Sequence, residues 1–359
     1  MRLVSLLALF AACAAAPLAA QAAAPTLSQT AKAKAPFVKT DAEAAVRELA
    51  TALEENFVFP DKGNAYAAML RAKLDSGAYS VFPDAEAFAS RVTADLQAVH
   101  ADGHLRLRFV FPEERSAPQS PSSGPLTESG VVKSGWVTDG VAYIRFDGFP
   151  GNEATLSDVR KFIGLHGSAA NLIIDARHHR GGGLDEMNLL FERLFAKPTV
   201  LVQMDIRLAV EEKHGTPFAD DDPVLPKIAG PQTIIRRQHI VTPATPATAL
   251  RDAKVYLLTS NKTASAAEHF ALSLKRTRRA TLIGEATSGA GHFGGMIPMG
   301  KSYAAFIPVG RTFDPDTGEG WEGVGVKPDV EVPADKALDE ALKLAGVNKS
   351  AEVALAELK

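Results

Sequence analysis

From Thr40 onward, apolar residues recur at helical spacing: Val46, Leu49, Leu53 and Phe57. Thr40-Asp41-Ala42-Glu43 reads as a capping box at the start of this helix. A second helix is predicted over Ala65–Leu74. A third starts at about Asp84, with Phe88, Val92, Leu96 and Val99 on one face. Three short helices bury little surface by themselves, so this unit is expected to pack on something larger. After Ala101-Asp102-Gly103-His104 the period changes to two, and Leu105-Arg106-Leu107-Arg108-Phe109 reads as a strand. Residues 112–127 are rich in Pro, Ser and Gly and read as a loop. Strands follow at Gly130–Val137 and Val141–Phe146.

Beyond them strand and helix alternate. Leu172-Ile173-Ile174 is a buried strand, and Gly181-Gly182-Gly183 turns into a helix over Leu184–Phe195. Val255–Leu258 is the next strand, followed by a helix and by the strand Ala280–Ile283. A last helix covers Ala334–Ala345, leaving residues 346–359 as a tail. The βαβαβ order predicts an α/β fold whose sheet contains parallel pairs covered by helices. No internal repeat is visible.

The first residues, MRLVSLLALFAACAAAPLAAQAAA, place Arg2 before an apolar run that small residues close. This reads as a secretory signal peptide over 1–22, cut after Ala20-Gln21-Ala22. It predicts an exported protein, periplasmic or secreted. Pro17 interrupts the run and no stop-transfer pattern follows, which argues against a membrane anchor. Phe10 fits poorly with a lipoprotein signal ending at Cys13. Cys13 is the sole cysteine, so the processed chain would have no disulfide and no cysteine nucleophile. Residues 23–39 read as a flexible lead-in. A net charge of −3 gives no reason to expect nucleic acid as a partner.

Candidate chemistry centres on YLLTSNKTASAAEHFA, Tyr256–Ala271. A serine at a strand-to-helix corner sits at the carboxyl edge of a sheet, where ligands bind. The helix start beside it offers free N–H groups for an oxyanion. The plainer alternative makes Ser265 a helix cap. The triple glycine after Ile174-Asp175-Ala176-Arg177 either donates N–H groups to an oxyanion or is a simple turn. Neither the Gly-Lys-Ser/Thr ending of a phosphate loop nor a G-x-S-x-G elbow, a Ser-x-x-Lys or a His-Glu-x-x-His is present. A serine nucleophile needs a base. His104 lies at a helix-to-strand junction and His292 in a glycine-rich loop. His269 sits one turn past Ser265, where packing is the usual role, and His178 and His179 read as surface residues.

Four blocks in order resemble the serine peptidase family of C-terminal processing (tail-specific) proteases, the tricorn core and the interphotoreceptor retinoid-binding protein repeats. They are DGHLRLRF at Asp102, LIIDARHHRGGG at Leu172, TSNKTASAAEHFA to GEATSGAGHFGG between Thr259 and Gly295, and WEGVGVKPDVEVP at Trp321. The resemblance implies a helical domain over 40–104 and a crotonase-like mixed-sheet peptidase core over 105–345. It makes Ser265 the nucleophile, with Ala266 and Gly181 or Gly182 as oxyanion donors. The lysine base of the tail-specific branch falls on Ala290 and is therefore missing. The histidine and glutamate of the tricorn branch fall on His104 and Glu322, although Gly103 replaces that branch's serine. His104 is then expected to be the base, oriented by Glu322 and titrating near or above about 6.5, while His292 lines the substrate cleft. About 26 residues between His104 and Gly130 cannot hold a PDZ domain, so the chain looks closest to the PDZ-less, retinoid-binding-protein-like branch. The implied activity is peptide-bond hydrolysis on a peptide or protein substrate with no cofactor or metal. The alternative is a binding module for an apolar ligand or extended peptide in the same cleft.

Overall fold

The computed structural model describes residues 34–111, 128–215 and 218–359. The predicted signal peptide, most of the predicted lead-in and the predicted 112–127 loop lie outside the described residues. Helices α1 (Lys39–Asn56), α2 (Pro60–Asp75) and α3 (Ala85–Val99) precede strand β1 (Arg106–Phe109). α3 starts where expected because the Asp84 carboxylate accepts from Ala87 N at 2.7 Å. The capping box at Thr40 does not form. α1 begins at Lys39 with no side-chain cap, and its acids serve a distant hairpin instead. Asp41 accepts from Lys301 N at 2.5 Å and Glu48 from Gly300 N at 2.7 Å. Val99 also departs from expectation: at the end of α3 it is partly exposed.

The core then runs β2 (Val131–Thr138), β3 (Val141–Phe146), α4 (Glu153–His166), β4 (Asn171–Asp175), α5 (Asp185–Leu194), β5 (Thr199–Arg207), α6 (Leu208–His214), β6 (Lys227–Ile228) and β7 (Ile234–Val241). It continues through β8 (Lys254–Thr259), α7 (Ala266–Arg276), β9 (Thr281–Gly284), β10 (His292–Met299), β11 (Tyr303–Phe313), β12 (Val330–Glu331), α8 (Ala337–Leu344) and α9 (Ala351–Ala356).

One sheet has the order β12-β9-β8-β4-β3-β2. It is parallel except for the antiparallel β2–β3 pair. Its strands alternate as a two-sided sheet must. Leu172 and Ile174 of β4 face a core built with α4, α5 and α7, including Phe162, Leu190, Phe270 and Leu274. Ile173 between them faces Leu338 and Leu342 of α8. The predicted tail is built into this layer: α9 packs there through Ala354, and Lys359 exchanges two main-chain bonds with Trp136 of β2.

The second sheet, β1-β11-β5-β7-β6 with β10 also on β11, is antiparallel throughout. Apart from β1, its strands were not evident in the pattern. Its side chains include Arg236, Arg237 and Arg311, with Asp205 of β5 accepting from Arg236 and Arg311. Such ionic pairs erase the apolar/polar alternation on which strand recognition rests.

The three helices pack on this second sheet and share its core. Phe88 meets Tyr303 at 5.2 Å between ring centroids, and Leu49, Leu53 and Tyr66 join Leu105, Leu107 and Ile307 in one buried cluster. Among the described residues no helix is long and apolar enough to cross a membrane.

Because helices and sheet share that core, Phe88→Ala is expected to cost about 3–5 kcal/mol and to shift a single urea transition. A separate early transition confined to helical signal would show instead that the helices fold on their own.

Candidate active site

The serine corner is strained. Ser265 adopts φ 58° and ψ −121°, a region that non-glycine residues avoid. Three bonds hold it there. Its carbonyl accepts from Glu268 N and His269 N, and its N–H donates to Glu268 Oε2 at 2.8 Å. The same fully buried carboxylate accepts from Ala290 N at 2.9 Å, Gly289 N at 2.7 Å and Thr287 Oγ1 at 2.6 Å. One oxygen thus bridges Ser265 N and Ala290 N, and the loop leading to His292 is fixed beside the serine. Burial raises the Glu268 pKa, and its hydrogen bonds, led by that from Thr287, counter the rise.

That loop is zipped to the one after β11. Thr287 N donates to Val326 O, Val326 N to Thr287 Oγ1, and Gly323 N to Gly289 O. A Cβ on Gly289 would sit 3.0 Å from the Gly323 carbonyl carbon. Glu322 is thereby brought to the turn after α3. Its Oε1 accepts from Gly103 N at 2.5 Å, and its Oε2 from Gly291 N at 2.6 Å and His292 N at 3.0 Å.

The histidine with a carboxylate partner is not the expected one. His292 is not in a flexible loop: it is buried and opens β10. Its Nδ1 lies 2.7 Å from Asp102 Oδ2 and 3.7 Å from Glu322 Oε2. Asp102 is buried, which pushes its pKa up. The His292 bond and charge and the N–H groups of Leu105 and His104 outweigh that and leave it below the ordinary value. An ionised carboxylate only accepts, so Nδ1 carries a proton, and in the neutral ring the lone pair lies on Nε2. Phe57 and Phe59, between α1 and α2, stand edge-on to the ring at 6.3 and 5.4 Å.

His104 has no such partner. It stacks on Phe306 at 4.8 Å, its buried Nδ1 has no hydrogen bond among the described residues, and burial lowers its pKa to about 4. The expected His104–Glu322 pair is therefore replaced by Asp102–His292. Glu322 spends its oxygens on main-chain N–H groups, and the expected titration of His104 near or above 6.5 is corrected downward. Asp102 had stood two residues before His104 without being assigned a role; its partner is 190 positions away.

The oxyanion candidates also separate. A Cβ on Gly181 would lie 2.7 Å from Ser265 Cβ and 3.2 Å from Oγ, so the glycine turn abuts the serine. Yet Gly181 N–H donates to His179 Nδ1 at 3.0 Å. Among the described residues, Gly182 N and Ala266 N have no acceptor. His179 is fully buried, contrary to the surface reading, whereas His178 is exposed. His269 is packed inside, its Nε2 2.8 Å from His239 Nδ1.

Asp102, His292 and Glu322 also offer ligand atoms within 4.8 Å of one another, the one such group among the described residues. Their carboxylate oxygens already receive N–H donors.

Residues 140–332 match the model described as Peptidase family S41, and residues 31–134 match that of the N-terminal domain of Peptidase_S41 in eukaryotic IRBP. The chain belongs to peptidase family S41. Its fold is similar to a photosystem II D1 C-terminal processing protease (15% identity, 86% of this chain and 98% of that one, TM-score 0.52). It is similar also to a putative peptidase from Parabacteroides merdae (16%, 89% and 96%, 0.55) and to the tricorn protease (13%, 89% and 36%, 0.50). This S41 chain is a serine peptidase, a hydrolase.

Two expectations follow for the S41 core. Glu268→Gln, whose amide must present N–H to N–H donors, should cost about 1–3 kcal/mol in urea unfolding. A neutral result would mean the carboxylate is dispensable. Burial lowers His104 to about 4 and His179 to about 3. Below about pH 6.5 the unfolded chain takes up protons that the native chain refuses, so stability complete above that value falls as pH drops toward the native values. The urea midpoint should therefore be lower at pH 5 than at pH 7.

Proposed function

We propose that this chain hydrolyses peptide bonds by acyl transfer through Ser265, with His292 as base and Asp102 as its orienting carboxylate. The observation that carries this reading is the buried Asp102–His292 bond at the end of a loop that Glu268 ties to the serine corner. His292 Nε2 takes the Ser265 Oγ proton as Oγ attacks the peptide carbonyl carbon. The N–H groups of Ala266 and Gly182 receive the oxyanion. The imidazolium, stabilised by Asp102, then gives its proton to the leaving amine, and water releases the acyl group by the same path. Glu322 acts on the main chain of Gly103, Gly291 and His292 rather than on substrate. Peptide or protein is the substrate class the family supports. The apolar run after Arg2 and Ala20-Gln21-Ala22 support export, with the processed chain starting near Ala23.

Fluorophosphonate labelling and peptide turnover test the mechanism. Ser265→Ala and His292→Ala should each lower kcat by roughly 10⁴ to 10⁶, with the double variant no worse, because such groups act as a unit. Asp102→Asn should cost about 10⁴ by favouring the wrong tautomer. If His104→Ala is the dead variant and His292→Ala is active, the base is misassigned. If the unaltered protein neither labels nor cleaves, the cleft binds without turnover. Intact-mass measurement of the exported protein should find residues 1–22 removed; a retained leader, or a diacylglyceryl group on Cys13, would overturn the export reading.

A further inference from the structure

The turn that abuts Ser265 contains a histidine that the acyl-transfer mechanism leaves unused. His179 is completely buried, with its ring edge-on to Phe149 at 4.1 Å between centroids. Among the described residues, Nε2 has no hydrogen-bond partner. Nδ1 accepts the Gly181 N–H, so the proton of the neutral ring sits on Nε2, and the ring lies against Phe146 and Phe149.

The main chain around the ring shows what the imidazole arranges. His179 N donates to Ala176 O, Arg180 N to Asp147 O and Gly183 N to Phe149 O. Gly181 N is taken by the imidazole itself. From His179 to Gly183, Gly182 alone keeps an uncommitted N–H among the described residues. Only glycine fits this course of the chain. Gly181 has φ 104° and Gly182 φ 133°, and a Cβ on Gly182 would lie 1.9 Å from Phe149 O. His179 O accepts from Ala264 N at 3.0 Å, so the residue that fixes the glycine turn also holds the residue before the nucleophile.

We infer that His179 is a positioning residue: by accepting the Gly181 N–H it fixes the peptide geometry that leaves the Gly182 N–H free as an oxyanion donor beside Ser265. This inference rests on the acyl-transfer reading. His179 touches no substrate. It sets the orientation of a dipole, and oriented dipoles are what stabilise charge that develops during reaction. With its acceptor removed, the Gly181 N–H would have to find another partner, and the turn could rotate.

Asparagine and leucine separate this role from simple packing. In His179→Asn the amide Oδ1 can occupy the place of the imidazole Nδ1 and still accept, whereas leucine keeps apolar bulk and accepts nothing. His179→Asn should keep most of the fluorophosphonate labelling rate and of kcat. His179→Leu should lower both by about 10²- to 10³-fold, as loss of an oxyanion donor does, with KM little changed. Amide exchange at Gly181 should be slow in the unaltered protein and in His179→Asn, and fast in His179→Leu. His179→Met serves in the same role if His179→Leu does not fold. Wild-type labelling by His179→Leu, equal loss in both variants, or Gly181 exchange unchanged in His179→Leu would overturn the inference while leaving Ser265 as nucleophile. No labelling of the unaltered protein would remove the acyl-transfer reading and this inference with it.

Discussion

The Glu268 carboxylate is the constraint on which the site depends. A buried charge is costly unless donors surround it, and here four do: Ser265 N, Thr287 Oγ1, Gly289 N and Ala290 N. They come from two chain segments that share no strand. By joining them, Glu268 holds Ser265 in a backbone conformation it would not adopt in a free chain, and sets the loop that ends at His292 alongside. The energy for the strain comes from hydrogen bonds already formed in the resting protein, so none has to be made during reaction.

Around that tie, each negative charge has its own set of donors. Asp102 and Glu322 approach the same imidazole, yet neither is left bare. Asp102 receives the main chain of His104 and Leu105, and Glu322 that of Gly103, Gly291 and His292. Gly103 and Gly291 matter for this packing: a Cβ on Gly103 would lie 3.0 Å from Ala290 Cα, and one on Gly291 2.9 Å from Glu322 N. Side chains there would separate the three loops that the two carboxylates draw together.

The helical unit completes the site as well as the fold. The turn between α1 and α2 brings Phe57 and Phe59 against the His292 ring. Arg207 of β5 pins that turn by donating to the carbonyls of Glu54 and Phe57. An apolar wall on a histidine–carboxylate pair lowers the local dielectric and strengthens their interaction. It also explains why the helices need the second sheet: their shared core places the wall.

The sequence by itself determined the parallel sheet and its helices, because buried apolar strands and amphipathic helices write their periods into local stretches such as Leu172–Ile174 and Phe88–Leu96. It placed Ser265 at a strand-to-helix corner too, since a polar turn and small residues between a strand and a helix form one continuous segment. It did not reveal most of the antiparallel sheet, where Asp205, Arg236 and Arg311 pair across strands and blur the period of two. Only the tertiary structure decided which histidine has a carboxylate. Asp102 reaches His292 across 190 positions, while His104, two residues away, is turned into a stack with Phe306. Hydrogen-bond partnership depends on distance in space, and no spacing along the chain encodes where two remote loops will meet.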